Sequence, residues 1–168
     1  SGSSIRVSTA TGDIDAGSVV MASGYRTSGL LEPHGVELPI KPVRHSITVV
    51  ERSPEFGPPH PVISDRIQNG YYRPEGSGLV LLGDHDPLEG DVDHDIETDK
   101  QPPPSSIARH TARFATRFPS AVDATYRRGY TGTYDTTPNF QPAIGAVNAV
   151  PRLFVAVGFS GHGFKLSP

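Results

Sequence analysis

The sequence predicts an α+β fold, centred on a mixed, mainly antiparallel sheet with one main helix. Two strand patterns, 70–73 and 79–82, flank the turn Pro74-Glu-Gly-Ser-Gly78 and predict a β-hairpin. One amphipathic stripe over 107–117 predicts the helix. A short apolar run at 152–157 leads into a glycine-rich stretch, which is typical of a buried strand followed by a tight turn.

The composition is typical of a loop-rich globular chain, and it gives no reason to expect some classes of binding partner. The 168 residues include 18 Gly, 17 Pro and 35% hydrophobic residues. A net charge of −3 gives no reason to expect nucleic acid or an anionic membrane as a partner. No apolar run approaches the ~20 residues that span a bilayer. The absence of cysteine excludes a disulfide framework and thiolate chemistry, and it favours a reducing compartment such as the cytoplasm.

The first part of the chain predicts short strands and a short helix. Alternation of polar and apolar residues predicts a half-exposed strand at 4–9, and the apolar run 18–22 predicts a second strand. Residues 27–34 predict a short helix. Pro39 and Pro42 then remove two backbone donors and mark a boundary in the chain.

The middle of the chain supplies the main sheet and its helix. Strands are predicted at 46–51 and 129–134, besides the hairpin. The helix is predicted to begin at a Ser N-cap within 102–106 and to end before Pro119. Its apolar stripe consists of Ile107, Thr111, Phe114, Ala115 and Phe118. Its basic face is expected to be solvated and consists of Arg109, Arg113 and Arg117.

Residues 84–99 form an acidic stretch. The pattern Asp91-x-Asp93-x-Asp95 is similar to the start of an EF-hand loop. However, Ile96 stands where that loop needs glycine, and Pro102 stands where it needs the bidentate Glu. We therefore expect no metal site and interpret the stretch as a solvated loop.

Three strings in the chain resemble the D-amino-acid oxidase superfamily of FAD-dependent amine and amino-acid oxidoreductases. They are YYRPEGSGLVLLG at 71–83, YDTTPNFQPAIG at 134–145 and GFSGHGFKLSP at 158–168. Within that superfamily, the strings resemble sarcosine oxidase and dimethylglycine dehydrogenase. The resemblance covers nearly the whole chain, and it implies FAD as the cofactor.

The resemblance also implies a division of the chain. Residues 1–37 would end the FAD-binding half, 38–140 would form the substrate-binding domain, and 141–168 would return to the FAD-binding half with the flavin loop. No Gly-x-Gly-x-x-Gly follows a strand in this sequence, and the acidic residue that binds the ribose is absent as well. We therefore expect a separate N-terminal FAD-binding part and only weak binding of FAD by this chain alone.

The candidate cofactor residues lie in two loops. The resemblance implies that the turn after the second strand passes the adenosine end of FAD, with Ala22, Ser23 and Gly24. It implies that the flavin loop lies against the isoalloxazine ring, with Gly158, Phe159, Ser160, Gly161, His162, Gly163, Phe164 and Lys165. Glycines there let the backbone approach a bound group, and free N–H groups can meet an anion or an electron-rich ring.

Gly132 bears on how FAD is held. Monomeric sarcosine oxidases attach FAD through a Cys in the segment before Tyr-x-x-Thr-Pro, and Gly132 stands in that segment here. Glycine offers no nucleophile. The resemblance therefore implies FAD that is not covalently bound.

The resemblance also implies candidate substrate residues, and their types suit the chemistry of C–N oxidation. Transfer of a hydride equivalent builds negative charge at the N1–C2=O edge of the flavin, which N–H donors and a cation stabilise. Lys165 matches the family Lys that helps to hold the substrate carboxylate. Tyr72 and Tyr134 align with aromatic residues that wall the substrate, with a core or surface position as the alternative for each.

Two histidines are candidate catalytic residues. The substrate amine must lose its proton before it gives up a hydride, and a neutral His promotes that loss near pH 7. His85 aligns with a family active-site His, with membership of the acidic loop as the alternative. His162 lies in the flavin loop itself.

The predicted function is part of a flavoenzyme that oxidises a secondary or tertiary amine or an amino acid, similar to sarcosine or dimethylglycine. Leu81 occupies the position of a Lys near the oxygen-reactive face of the oxidases. A dehydrogenase that passes electrons to an acceptor protein or a quinone is therefore as well supported as an oxidase. The alternative function is a non-enzymatic binding or assembly module that retains the substrate-domain fold.

Overall fold

The computed structural model describes residues 4–76, 78–85 and 101–167 of the chain. The chain forms two compact units. The terminal unit consists of residues 1–43 and 134–168, and the central unit consists of residues 44–133. A substrate-binding domain was expected from the sequence at residues 38–140. The compact central unit of the structure is shorter and covers residues 44–133.

In chain order, the strands are β1 (Ile5–Thr9), β2 (Gly12–Ala16), β3 (Val19–Met21), β4 (Lys41–Glu51), β5 (Ile63–Asp65), β6 (Gly70–Glu75), β7 (Leu79–Asp84), β8 (Thr125–Thr136), β9 (Ala143–Ala146) and β10 (Leu153–Val157). The α-helices are α1 (Thr27–Leu31), α2 (Pro104–Arg117) and α3 (Gly163–Leu166). The predicted helix at 27–34 is thus α1 followed by a 3-10 turn, Glu32–His34.

The terminal unit contains a hairpin, β1–β2, and a three-stranded sheet in the order β3-β10-β9. Strand β10 runs parallel to β3 and antiparallel to β9. Alternate residues of a strand point to opposite faces. One face of this sheet buries Leu153, Val155 and Val157 in a core with Leu31 and Ile40. The other face leaves apolar side chains exposed: Val20, Phe154 and Ile144.

The central unit is built on a five-stranded sheet in the order β5-β6-β7-β4-β8. The pairs β5–β6, β6–β7 and β7–β4 are antiparallel. The predicted strands at 46–51, 70–73, 79–82 and 129–134 lie within β4, β6, β7 and β8. The predicted α+β fold with a mainly antiparallel sheet is therefore confirmed.

The two faces of the central sheet pack differently. Helix α2 covers one face, where Phe114 packs in a core with Val50, Tyr72, Val80 and Leu82. On the opposite face, Tyr71 and Leu79 pack against a second buried cluster, which consists of Ile47, Val49 and Leu81. This second face carries the candidate His85, whereas the candidate Tyr72 lies on the face that α2 covers.

The start and the buried stripe of α2 differ from the prediction. The helix begins at Pro104 and has Pro103 at its N-cap, without a side-chain cap. Proline is well tolerated at the first helical position because its missing N–H has no partner there, and the predicted Ser N-cap is therefore wrong. The fully buried positions are Ser106, His110 and Phe114. The buried stripe thus lies closer to the arginines than predicted.

Two of the three arginines on the basic face of α2, Arg109 and Arg113, are not solvated as the sequence predicted, whereas Arg117 is exposed. Arg109 Nη2 donates to Asp84 Oδ2 over 2.7 Å, and Arg113 Nη1 donates to Asp84 Oδ1 over 2.5 Å. Asp84 is the last residue of β7 and is buried, so it is not part of a solvated acidic loop. The arginines turn inward because this carboxylate needs partners. Residues 86–100, with the rejected calcium pattern at Asp91, Asp93 and Asp95, lie outside the described residues.

The described ranges contain neither a cluster of metal ligands nor a helix that could cross a membrane. No group of three or more His, Asp or Glu side chains there is placed to hold a metal ion. Each helix in those ranges is too short or too polar to cross a membrane.

Candidate functional site

Two loops leave the same edge of the terminal sheet. Strands β3 and β10 are adjacent and parallel, with Met21 opposite Val155. Because both strands end at this edge, the turn 22–24 and the loop that begins at Gly158 emerge from neighbouring positions. In open α/β sheets, ligands bind at the carboxyl ends of parallel strands. The structure therefore brings together the two segments that the sequence assigned to FAD.

The turn 22–24 is held by its own side chains. Ser23 Oγ lies 2.8 Å from Thr27 Oγ1, and Thr27 is fully buried at the start of α1. Gly24 has φ +57°, in the left-handed region that glycine adopts without a steric cost. Ala22, Ser23 and Gly24 thus form an ordered turn between β3 and α1.

The glycine-rich loop between β10 and α3, residues 158–162, has an unusual backbone. Gly158, Ser160 and Gly161 have φ values of +74°, +51° and +79°. The N–H of His162 donates to the carbonyl of Phe159 over 2.8 Å and closes a turn. The helix α3 then starts at Gly163. This loop together with the start of α3, residues 158–165, is called the flavin loop.

The end of β8 holds the flavin loop. The N–H of Gly158 donates to Asp135 Oδ2 over 2.6 Å, and the N–H of Ser160 donates to the carbonyl of Asp135 over 3.2 Å. The N–H of Thr137 donates to Ser160 Oγ over 3.2 Å. Ser160 itself is 6% exposed. The loop is therefore fixed from behind by hydrogen bonds to one strand.

Gly158 and Gly161 make room for Thr137, the residue that follows β8, and for Tyr134 in β8. A Cβ atom on Gly158 would lie 2.4 Å from Thr137 Cγ2, and one on Gly161 would lie 2.5 Å from the Tyr134 ring. The sequence explained these glycines by close approach to a bound group. The structure adds a second reason at Gly158 and Gly161, because side chains of this chain already fill the space that a Cβ would need.

The flavin loop and α3 present both polar and apolar groups outward. Phe164 is 97% exposed, Lys165 is exposed, and His162 is half-buried. Within the described residues, the amide N–H groups of Phe159, Gly161 and Gly163 have no hydrogen-bond acceptor. Backbone N–H groups need an acceptor when they are covered. These groups fit the edge of a flavin ring, which offers oxygen and nitrogen acceptors on an apolar body.

Tyr134 and Gly132 lie in β8. The Tyr134 ring lies directly against Gly161, and the structure therefore places this predicted substrate residue beside the flavin loop. Gly132 has no heavy atom within 4 Å of the position that a Cβ would take. The position at which the sequence resemblance predicts the absence of a covalent link thus has open space around it and carries no nucleophile.

In the central unit, His85 lies beside a tyrosine that the sequence reasoning missed. The rings of His85 and Tyr71 are 5.6 Å apart, and His85 Nε2 lies 3.0 Å from Ser64 Oγ. Tyr71 OH in turn lies 3.2 Å from His45 Nε2. His85 is thus held in a polar group on the sheet face that is opposite to α2.

Tyr72 points the other way. It is 1% exposed in the core beneath α2, its pKa is raised by burial, and its hydroxyl has no partner among the described residues. This position gives the substrate-wall interpretation no support, and it matches the core alternative that the sequence left open. The two-residue period of β6 places the two tyrosines on opposite faces, with Tyr71 on the face of Leu81, but the period alone does not indicate which face α2 covers.

The chain matches known proteins along its whole length. The family model described as "FAD dependent oxidoreductase" (DAO) matches residues 2–168. Glycine oxidase from Pseudomonas aeruginosa is 26% identical over 164 residues, which cover 98% of this chain and 42% of that protein. Monomeric sarcosine oxidase from a Bacillus species is 25% identical over 169 residues, covering 97% of this chain and 43% of that protein.

The structure of L-proline dehydrogenase from P. horikoshii superimposes with a TM-score of 0.82 at 25% identity, covering 97% of this chain and 42% of that chain. This chain therefore spans less than half the length of these relatives. The predicted resemblance is confirmed, because the family match covers the flavin loop, the hairpin and the segment between them. The chain belongs to the DAO family of FAD-dependent oxidoreductases.

Proposed function

We propose that this chain is the substrate-binding and flavin-loop part of an FAD-dependent oxidoreductase that oxidises the C–N bond of a small amino acid or carboxylate-bearing amine. The flavin loop carries the proposal. It is fixed to β8 by the Asp135 and Ser160 hydrogen bonds, while three of its amides and Lys165 remain available to a ligand. When bound, FAD would supply the acceptor for the hydride equivalent that leaves the substrate carbon.

Each candidate residue then has a role that its position supports. The amides of Phe159, Gly161 and Gly163 would hold the ring edge on which negative charge develops. Lys165, at the end of the loop, would hold the substrate carboxylate. His162 in the loop and His85 on the central sheet are the candidates that would take the proton from the substrate amine.

The substrate proposal rests on what the relatives have in common. Their names specify glycine, sarcosine and L-proline, all of which carry a carboxylate next to the amine. A sarcosine- or dimethylglycine-like secondary or tertiary amine is within that class. Lys165 supports the class rather than one member, because a cation recognises the carboxylate and not the substituents on nitrogen.

The electron acceptor is proposed to be a protein or quinone rather than O₂. Leu81 is 5% exposed within the apolar cluster of the central sheet, beside Ile47 and Val49. A neutral, packed Leu cannot stabilise the negative charge that develops on reduced oxygen. The relatives include both oxidases and a dehydrogenase, so this choice rests on Leu81 alone.

The missing nucleotide motif implies a further part of the protein. We propose that an FAD-binding part with the dinucleotide fingerprint completes the terminal unit. The exposed apolar face of its three-stranded sheet supports this proposal, with Val20 at 65%, Ile144 at 69% and Phe154 at 41% exposure. Apolar side chains that cluster on one sheet face favour burial against another element.

A visible absorption spectrum of the purified full-length protein tests the proposal. We expect the bands of oxidised flavin, and we expect anaerobic bleaching of those bands by at least one of glycine, sarcosine, dimethylglycine and proline. Methylamine and pyrrolidine, which lack the carboxylate, serve as matched controls and should bleach poorly. A full-length protein without flavin would favour the non-enzymatic binding module instead.

A further inference from the structure

We propose that the carboxylate of Asp135 is a positioning residue that holds the flavin loop in the shape it needs to meet FAD. This proposal rests on the proposed function and assigns a role to a residue outside the predicted site. Asp135 holds the loop twice. Its Oδ2 accepts the N–H of Gly158 over 2.6 Å, and its carbonyl accepts the N–H of Ser160 over 3.2 Å.

The backbone of the loop needs such a restraint. Residues 158, 160 and 161 all have φ between +51° and +79°, a region that costs free energy for any residue with a side chain. Ser160 adopts it although it is not a glycine. A glycine-rich segment without hydrogen bonds would sample many other conformations. The observed shape therefore depends on the contacts that select it.

Ser160 completes the restraint. Its hydroxyl donates to the carbonyl of Gly158 over 3.2 Å and accepts the N–H of Thr137 over 3.2 Å. The Ser160 side chain is inside the loop, where it ties the left-handed residues to the end of β8. Asp135 and Ser160 thus both restrain residues 158–160, and their hydrogen bonds connect this segment to residues 135 and 137.

The carboxylate has a backbone donor as its partner. Within the described ranges, no Lys or Arg forms an ion pair with Asp135, and the short contact to Gly158 is of the charge-assisted kind. A charged acceptor roughly doubles the strength of such a bond. The charge of Asp135 is therefore used to hold a single amide of the loop.

This arrangement determines which amides stay available. The N–H groups of Gly158 and Ser160 are directed to Asp135, whereas those of Phe159 and Gly161 alternate with them and have no acceptor in the described part of the chain. Asp135 thus acts through the loop and does not need to touch the cofactor. Its loss would release the segment that presents the free amides.

The test uses the full-length protein and three variants. Asp135→Ala removes the acceptor, Asp135→Asn keeps an uncharged acceptor oxygen, and Asp13→Ala is a matched control because Asp13 is exposed on β2. Hydrogen–deuterium exchange is measured by mass spectrometry on peptides that cover 158–161. FAD affinity is measured by titration of the apoprotein.

In Asp135→Ala, we expect exchange in this peptide to rise roughly ten- to a hundredfold and FAD affinity to fall by a similar factor. Asp135→Asn should fall between Asp135→Ala and the wild type in both measurements, and Asp13→Ala should match the wild type. If Asp135→Ala does not fold, Asp135→Asn decides. Exchange and FAD affinity in Asp135→Asn that equal those of the wild type would overturn the proposal.

The outcomes separate this proposal from the proposed function. Unchanged exchange in Asp135→Ala would overturn the positioning role. Faster exchange with unchanged FAD affinity would also overturn it, because the loop shape would then not matter for the cofactor. If the wild type binds no FAD, the proposed function fails and the positioning role toward FAD fails with it. Faster exchange in Asp135→Ala would then still show that Asp135 restrains the loop.

Discussion

Asp84 is a buried carboxylate whose charge is neutralised by α2. Arg109 and Arg113 donate to its two oxygens, and His110 Nε2 lies 3.2 Å from Oδ2 at an angle outside hydrogen-bond geometry. His110 Nδ1 lies 2.8 Å from Thr48 Oγ1. Burial alone would raise the pKa of Asp84, but the contacts with His110 and Arg109 outweigh burial and lower the pKa from 3.8 to about 2. Asp84 is therefore a structural anion and not a base for catalysis near neutral pH.

The low pKa of Asp84 predicts how stability depends on pH. The folded-state pKa is below the unfolded value, so the contribution is present above about pH 4 and is lost as the pH falls toward about 2. The shift corresponds to about 2 kcal/mol. In Asp84→Asn, we expect the free energy of unfolding at pH 7 to fall by about that amount and its decrease in acid to become shallower.

Urea denaturation between neutral and acidic pH measures this effect. Asp13→Asn is the control, because Asp13 is exposed on β2 and its removal deletes one carboxylate without breaking the cluster. The same acid dependence in Asp84→Asn and Asp13→Asn would contradict the assignment of the low pKa to Asp84.

Lys165 is expected to affect the binding of a carboxylate-bearing substrate. It is exposed in α3, at the end of the flavin loop, and the sequence resemblance predicts that it binds the substrate carboxylate. In the full-length enzyme, Lys165→Ala should raise KM for a carboxylate-bearing amine. A charge-assisted hydrogen bond of this kind contributes about 1.5–3 kcal/mol, or roughly ten- to a hundredfold.

An amine without a carboxylate distinguishes the possible roles of Lys165. Its turnover should be nearly indifferent to Lys165→Ala, and Lys165→Arg should retain part of the affinity for the carboxylate substrate. Equal losses for both substrates would mean that Lys165 acts on the flavin edge. Unchanged kcat and KM for both would remove Lys165 from the site.

At the scale of elements, the flavin loop and β8 are fitted to each other. Gly161→Ala should destabilise the protein for two reasons, a left-handed φ of +79° and a Cβ placed 2.5 Å from the Tyr134 ring. Gly35→Ala is the matched control, since Gly35 has φ +70° and no heavy atom within 4 Å of the Cβ position. The control carries only the backbone cost of about 1–2 kcal/mol.

Thermal or chemical denaturation of the two variants isolates the packing cost. We expect Gly161→Ala to lose at least about 1 kcal/mol more than Gly35→Ala, because the Tyr134 ring must move or the loop must shift. FAD affinity should fall in Gly161→Ala only. Equal stability of the two variants would show that the loop and Tyr134 yield without cost.

The sequence was sufficient to predict the hairpin and α2, but not to predict which face of the central sheet is covered by the helix. The hairpin and the helix were predicted from a local pattern, a turn between two strands and an apolar stripe. Which hairpin tyrosine is buried depends on which sheet face α2 covers, and neither β6 nor its turn encodes that. Tyr71 and Tyr72 were therefore distinguishable only in the folded structure.

The same limit explains the arginines of α2 and the glycines of the flavin loop. Arg109 and Arg113 turn toward Asp84, which is 25 residues or more away in sequence. Gly158 and Gly161 lie against Thr137 and Tyr134, which are more than 20 residues earlier in the sequence and leave no room for a Cβ. Local patterns do not report partners at such separations. The position of the flavin loop after a strand was predictable, whereas its attachment to Asp135 was not.

At the scale of the whole molecule, the candidate groups are divided between the two units. The terminal unit carries the turn 22–24, Tyr134 and the flavin loop, and the central unit carries Tyr71 and His85. The chain spans 42–43% of the length of glycine oxidase and sarcosine oxidase. We therefore expect parts of the full-length protein outside this chain to contact FAD as well.

We expect that the full-length protein holds FAD without a covalent bond. The chain contains no Cys, and Gly132 in β8 has only open space where a side chain would be. Because no nucleophile is present at this position, FAD should be held by non-covalent contacts only. Acid or heat denaturation of the full-length protein should therefore release the flavin into the supernatant.

Two measurements check the release. The supernatant should contain all of the flavin absorbance after precipitation, and the intact mass of the denatured chain should equal the mass calculated from its sequence. Flavin that stays with the precipitate, together with a mass increase of one flavin cofactor, would show a covalent bond to another residue. The alignment of Gly132 with the covalent Cys would then no longer describe how this protein holds its cofactor.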